Sequence, residues 1–240
     1  MTSSPNIAHF FVTALQQRCS VVTNPETGET VIIDGGGDSE RIIQWIDSRI
    51  GEPDHEIGNY SGERKVVALI NTHAHFDHSG HIPYLKDHYS LDWWLHKDDF
   101  FLQSLAQESG RRWGFPLPKP AIAENTWEHG EIHTFGGMEF EIIHTPGHTL
   151  GGCCLRLIVA DGPDHLFAGD TLFQGSIGRT DLPNSGGDLD LLLRMIRERL
   201  WPLDGDTIVH PGHGPLTTIG QEKQTNPFLN DGFRGRGAWL

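Results

Sequence analysis

Cysteine is scarce: Cys19, Cys153 and Cys154 are the only three in 240 residues, and no Cys-x-x-Cys pair exists. That excludes a disulfide framework and a cysteine zinc site, and leaves the three as small buried apolar residues. Positive charge is also short. Eighteen Lys and Arg stand against 32 Asp and Glu, a net charge of −14, which argues against a polyanionic partner such as nucleic acid. No apolar run approaches the roughly 20 residues of a membrane span. Met1-Thr-Ser-Ser-Pro-Asn6 lacks the basic-then-apolar pattern of a signal peptide. A cytoplasmic protein without a membrane partner is expected. Internal repeats, low-complexity segments and long linkers are missing too, so the chain is expected to form one domain over 1–240. Gly35-Gly-Gly37 follows a strand-like run, but no Gly-Lys-Ser/Thr follows and the spacing is not GxGxxG. A nucleotide cradle is not indicated, and the glycines instead let backbone pass close to another element.

Histidine, by contrast, is abundant, at 15 residues. The apolar, β-branched run 66–70 reads as a buried strand, and it opens into Thr72-His-Ala-His-Phe-Asp-His78. The i, i+2 spacing sets His73 and His75 on one side of an extended segment, while Asp77 and His78 lie beyond the turn. Imidazole and carboxylate are ligands for first-row transition metals, and two ligand directions suggest two metals. Three later strand-like runs also end in metal-competent residues: His148 and His213, each after Pro-Gly, and Asp170 after Gly169. Asp34, ending a strand beside the glycines, is a candidate carboxylate for orienting a ligand histidine.

Along the chain, runs at 7–15 and 20–34 flank the turn Asn24-Pro-Glu-Thr-Gly28 and suggest a hairpin. Asp38 is placed to cap a helix to about Ile50, with Ile42, Ile43, Ile46 and Ile50 as its apolar face. Helices are expected at 79–89, capped by Ser79, and at 97–107, with a strand at 91–96 between them. The stretch 110–120, with Trp113 and Phe115, reads as a loop able to cover a substrate. Strands are expected at 131–135, 138–144, 153–159, 165–168 and 207–210. The amphipathic helix 188–200 presents Leu189, Leu192, Leu193, Ile196 and Leu200, and 232–237 reads as a tail. Strand clusters flanked by helices in both halves indicate a layered α/β sandwich.

Thr72-His-Ala-His-Phe-Asp-His78 followed by His148, Asp170 and His213 resembles the metallo-β-lactamase superfamily. The stretches 168–183 and 209–228 resemble its glyoxalase II-like branch, closest to short bacterial members without the helical C-terminal domain. The resemblance implies an αββα fold, a four-layer α+β arrangement with metals at one edge of two sheets. It implies two divalent ions, zinc first and iron or manganese as alternatives. His73, His75 and His148 would bind one, Asp77, His78 and His213 the other, and Asp170 both. A metal-bridging hydroxide would then cleave a small-molecule thioester, possibly glutathione-linked as in S-lactoylglutathione, with Asp77 or Asp170 taking a proton. Arg179 falls where full-length relatives use a lysine for the glutathione carboxylate. The other outcome the resemblance allows is a persulfide dioxygenase with one iron on His73, His148 and Asp170. The best-known β-lactamase class carries a cysteine ligand where Asp170 stands, which argues against that activity. His81, His96, His129, His133, His144, His165 and His210 are expected to be structural.

Overall fold

The computed structural model describes residues 4–230, so the expected tail at 232–237 lies outside the described residues. The hairpin forms as its turn chemistry requires. Strands β1 (Asn6–Val12), β2 (Gln17–Thr23) and β3 (Glu29–Ile33) run antiparallel in sequence. Asn24 O accepts from Gly28 N at 2.8 Å, and Gly28 has φ 76°, a conformation glycine adopts without a Cβ penalty. Strands β4 (His55–Ile57), β5 (Lys65–Ile70) and β6 (Trp93–Trp94) complete a six-stranded sheet ordered β4-β1-β2-β3-β5-β6, in which β5 lies parallel to β3 and to β6.

The second half builds a matching sheet. Strands β7 (Ile132–Phe135), β8 (Met138–His144), β9 (Cys153–Leu157) and β10 (His165–Gly169) form an antiparallel meander. A two-stranded ribbon, β11 (Leu172–Phe173) and β12 (Ser176–Ile177), leaves it before β13 (Ile208–Pro211) pairs parallel to β10 and β14 (Thr217–Thr218) closes the edge. Both sheets are covered on both faces, which is why their strands read as continuous apolar runs. Val31, Ile33, Ala68 and Ile70 meet Phe140, Ile142, Cys153, Leu155 and Leu157 between the sheets. Ile32 and Leu69 point the other way, into Ile42, Trp45, Ile82 and Leu85 on the helices. Leu166, Ala168 and Val209 pack on Leu192, Leu193 and Ile196. The layers are therefore helix, sheet, sheet, helix: the αββα architecture.

The helices depart from expectation mainly at their caps. Helix α1 (Ser39–Ser48) follows Asp38 in the left-handed region, with no side-chain cap. The Asp38 carboxylate instead accepts from Thr13 N at 3.0 Å. Ile50 lies beyond the helix and is 60% exposed, because Arg49 turns left-handed and ends the apolar face one turn early. Ser79 caps nothing: it is the last residue of α2 (Phe76–Ser79), and its hydroxyl donates back to the Ala74 and His75 carbonyls. Helix α3 (Ile82–Tyr89) starts separately. Helix α4 (Phe100–Arg112) follows a 3-10 turn at Lys97–Asp99 and runs into the stretch expected to be loop. Asp188 caps α5 (Leu189–Met195), accepting from Leu191 N at 2.9 Å, and the expected helix 188–200 finishes in a π-turn, Ile196–Leu200. Helix α6 (Ile219–Thr225) has no counterpart among the elements expected from the sequence. No helix among the described residues is long and apolar enough to cross a membrane.

Candidate metal centre

The ends of β5, β8, β10 and β13 open on one edge of the two sheets, and the loops beyond them carry His73, His75, His148, Asp170 and His213; α2 adds Asp77 and His78. The donor atoms fall into three overlapping groups: His73 with His75 and His148, His73 with His78 and Asp170, and Asp77 with His78 and His213. His75 Nδ1 lies 2.9 Å from His148 Nε2. Asp170 stands between the two sides, 3.5 Å from His148 Nε2, 3.3 Å from His78 Nε2 and 3.8 Å from His213 Nε2. His213 Nε2 lies 3.2 Å from Asp77 Oδ2.

Glycine makes this convergence possible. A Cβ on Gly36 would overlap Asp77 O and stand 2.8 Å from His78 N, and one on Gly212 would overlap Asp170 Oδ1 and stand 2.7 Å from His78 Cε1. Gly35-Gly-Gly37 thus serves close backbone passage, here beneath α2.

The imidazoles are oriented from outside. His78 Nδ1 donates to Asp34 Oδ2 at 3.0 Å, His148 Nδ1 to Arg179 O at 2.6 Å, and His213 Nδ1 to Leu15 O at 3.1 Å. Thr72 Oγ1 gives its proton to Asp34 Oδ2 at 2.7 Å and so accepts from His73 Nδ1 at 3.1 Å. Carboxylate and carbonyl oxygens only accept, so the neutral form of each ring keeps its proton on Nδ1 and turns the Nε2 lone pair inward. Three buried atoms at the centre, His73 Nε2, His78 Nε2 and Asp170 Oδ1, make no hydrogen bond of full geometry; the last two face each other at 3.3 Å, and His73 Nε2 has no partner. Orphaned buried acceptors of this kind are costly unless a cation meets them. The residues fit a pair of metal ions.

Electrostatics agree. Burial, aided by neighbouring histidines, drives His73 well below the usual histidine range and His75 down to about 3. Burial opposes charge on His78 and His213 as well, but Asp170 and Asp77 outweigh it and hold both above the usual value. Asp77 and Asp170, despite burial, are held low by His78 and His213. The cluster favours net positive charge against its carboxylates.

The centre floors a cavity of about 340 Å³, walled by Leu15, Phe76, Trp113, Phe173 and Leu182 with Arg112 and Arg179 among its lining residues. Trp113 is 59% exposed and stacks on Phe76 at 6.5 Å. Phe115 packs on Phe76 at 5.8 Å. Arg179 forms a two-pronged pair with Asp181, both contacts at 2.9 Å.

Several supporting groups gave no local signal in the sequence. The Asp99 carboxylate accepts from Ala74 N at 3.0 Å, Thr149 Oγ1 at 3.0 Å and Gly151 N at 2.7 Å, and burial raises it to about 6. Histidines outside the cluster have their own partners. His81 bonds Ser39, and His133 bonds Glu131. His165, His210 and His9 form a buried chain with contacts of 2.9 and 3.0 Å. His96 and His144 stack at 4.1 Å and, with Asp98, make a further His/Asp group. There His96 Nδ1 already accepts from Asp98 N, and His144 Nε2 donates to Leu150 O.

Comparison with known proteins gives the family. The sequence pattern of the Metallo-beta-lactamase superfamily matches residues 12–213. Hydroxyacylglutathione hydrolase GloC of Haemophilus influenzae is 43% identical over 230 residues, covering 94% of this chain and 98% of that protein. The solved structure of BLEG-1 B3 metallo-beta-lactamase superposes with a TM-score of 0.79 at 36% identity, covering 93% of this chain and 99% of that one. TTHA1623 in a di-iron-bound form superposes with a TM-score of 0.74 at 35% identity, covering 91% and 98%. The chain belongs to the metallo-β-lactamase superfamily and is a metal-dependent hydrolase of that fold.

Proposed function

We propose that this protein is a binuclear thioester hydrolase acting on a small acyl-thioester such as S-lactoylglutathione. One observation carries the proposal: two donor triads meet at the floor of a largely apolar cavity, with Asp170 between them, 3.5 Å from His148 on one side and 3.3 and 3.8 Å from His78 and His213 on the other. The thioester comes from the hydroxyacylglutathione hydrolase relative. His73, His75 and His148 would hold one divalent cation, Asp77, His78 and His213 the other, and Asp170 would contact both. Such a pair supplies a hydroxide near neutral pH and Lewis-acid polarisation of the carbonyl. Zinc is proposed first, with iron next because the TTHA1623 neighbour is di-iron-bound.

The chain's own residues account for the rest. Phe76 and Trp113 wall the cavity beside His75 and Asp77 and keep water from the apolar part of the substrate. Asp77, with its side chain 13% exposed at the cavity floor, would accept a proton from the attacking water. Arg179 can exchange Asp181 for a substrate carboxylate, since an exposed ion pair contributes only about 0–1 kcal/mol. Buried free thiols, such as Cys153 and Cys154, suit a cytoplasmic setting.

Metal content per chain, measured together with turnover of S-lactoylglutathione, tests the assignment. Two metals with hydrolysis support it. A single iron, no thioester turnover and oxygen uptake with glutathione persulfide would replace it with the dioxygenase. The BLEG-1 neighbour makes β-lactam cleavage the second substrate class to assay; nitrocefin turnover without thioester turnover would move the assignment there.

A further inference from the structure

The turn between β1 and β2 reaches across to the second donor triad. Leu15 O accepts from His213 Nδ1. Gln17 Nε2 lies 2.8 Å from Arg18 O and 3.3 Å from His78 Nδ1. Arg18 holds the loop that carries His213 on both sides of it. Its backbone N–H donates to Gly212 O at 2.7 Å, its Nε to Pro211 O at 2.9 Å, and its Nη2 to Gly214 O.

A buried arginine is a costly way to anchor a loop. Arg18 is 4% exposed, and burial alone draws its guanidinium down to about 10. No carboxylate among the described residues forms an ion pair with it; its charge meets carbonyl dipoles and the face of Phe11, 4.9 Å from Cζ. Burying a cation without a counter-ion is unfavourable. What the guanidinium adds is a rigid planar fork that fixes two carbonyls at once, which a lysine cannot reproduce.

The first triad is held by different groups. Asp99 ties Ala74, Thr149 and Gly151 together, Arg179 O receives His148, and Thr72 receives His73. The two sets of supports meet at Asp34, which accepts from both Thr72 and His78.

We infer that Arg18 is a positioning residue for the second cation: by fixing Pro211 to Gly214 it sets the occupancy of the Asp77–His78–His213 position separately from that of the His73–His75–His148 position. The inference rests on the two-cation reading above and adds that the two positions are controlled from opposite parts of the chain.

Titration of metal-free wild type, Arg18→Met, Arg18→Lys and Asp99→Asn with Zn²⁺ against a chromophoric chelator tests it. Elemental analysis gives stoichiometry, and far-ultraviolet circular dichroism checks the fold. Wild type should take up two ions. Both Arg18 variants should keep the tighter or looser first-triad ion within about threefold and weaken the other about 10–100-fold, the range for loss of a supporting partner. Asp99→Asn should weaken the first-triad ion instead. Arg18 variants that bind two ions with wild-type affinities, lose both in parallel, or do not fold at all overturn the inference. Wild type binding a single ion removes the two-cation reading and the inference with it. Wild type binding two ions without thioester turnover leaves the inference standing and removes only the proposed substrate.

Discussion

Asp34→Asn is the smallest change that should separate the site from its scaffold. Three donors converge on this carboxylate: Thr72 N on Oδ1 at 2.7 Å, Thr72 Oγ1 on Oδ2 at 2.7 Å, and His78 Nδ1 on Oδ2 at 3.0 Å. An asparagine of the same shape offers one acceptor oxygen and an NH₂ group, so one orientation must fail. With the NH₂ toward Thr72 N, that buried amide loses its partner, at about 1–3 kcal/mol. With the NH₂ toward His78, Nδ1 becomes the acceptor, and the ring proton moves to Nε2, where a cation would sit. Metal affinity should then fall about 10–100-fold, equivalent to about 1.4–2.7 kcal/mol. Competitive Zn²⁺ titration and urea unfolding of the metal-free protein read the two outcomes independently. Affinity within about twofold of wild type together with unfolding free energy within about 0.5 kcal/mol would refute the role assigned to Asp34.

Gly36→Ala should lower stability by about 3 kcal/mol or more, because its methyl overlaps backbone of α2 rather than a movable side chain; an unfolding midpoint equal to wild type would show that α2 can shift freely. Trp113→Ala should raise KM for thioesters with bulky apolar arms by about tenfold while sparing kcat, since the indole lines the cavity wall and stacks on Phe76; a fall in kcat at constant KM contradicts that. His165 is lowered to about 4 by burial, so between its unfolded value near 6.5 and pH 4 the unfolded chain binds the extra proton, and stability falls as pH falls. The loss approaches about 3 kcal/mol at pH 4, and His165→Gln in the metal-free protein should flatten the slope of unfolding free energy between pH 7 and 5; identical slopes would remove His165 as the cause.

What could be read from the sequence depended on the range of the forces involved. Strand runs such as Thr30 to Ile33 and the amphipathic helix from 188 were legible because a β-branched apolar run and a helical apolar face are patterns set within a few residues. The seven side chains expected as donors could be singled out because five follow strand-like runs, Asp77 and His78 lie just past one, and the family resemblance joins them; the structure brings them into neighbouring groups. Asp38 and Ser79 misled for the same local reason: each has the right chemistry for a cap, but Thr13 N claims one and the carbonyls of Ala74 and His75 the other. Asp99, Gln17 and Arg18 stayed hidden, since their partners lie 25 to 196 residues away and nothing near them in the chain marks the contact.

The arrangement of the donors along the chain has a consequence for biogenesis. His73 belongs to the first sheet's loops, while His148, Asp170 and His213 belong to the second's, and His73 and His213 stand 140 residues apart (213 − 73). A nascent chain emerging from the ribosome would carry the first histidines for most of its synthesis without the others. On the two-cation reading, the full complement assembles only once both halves have docked, so metal uptake comes after folding and rewards only chains that have completed it. Premature capture by the early histidines alone would be weak, leaving the ion free to exchange until β13 arrives.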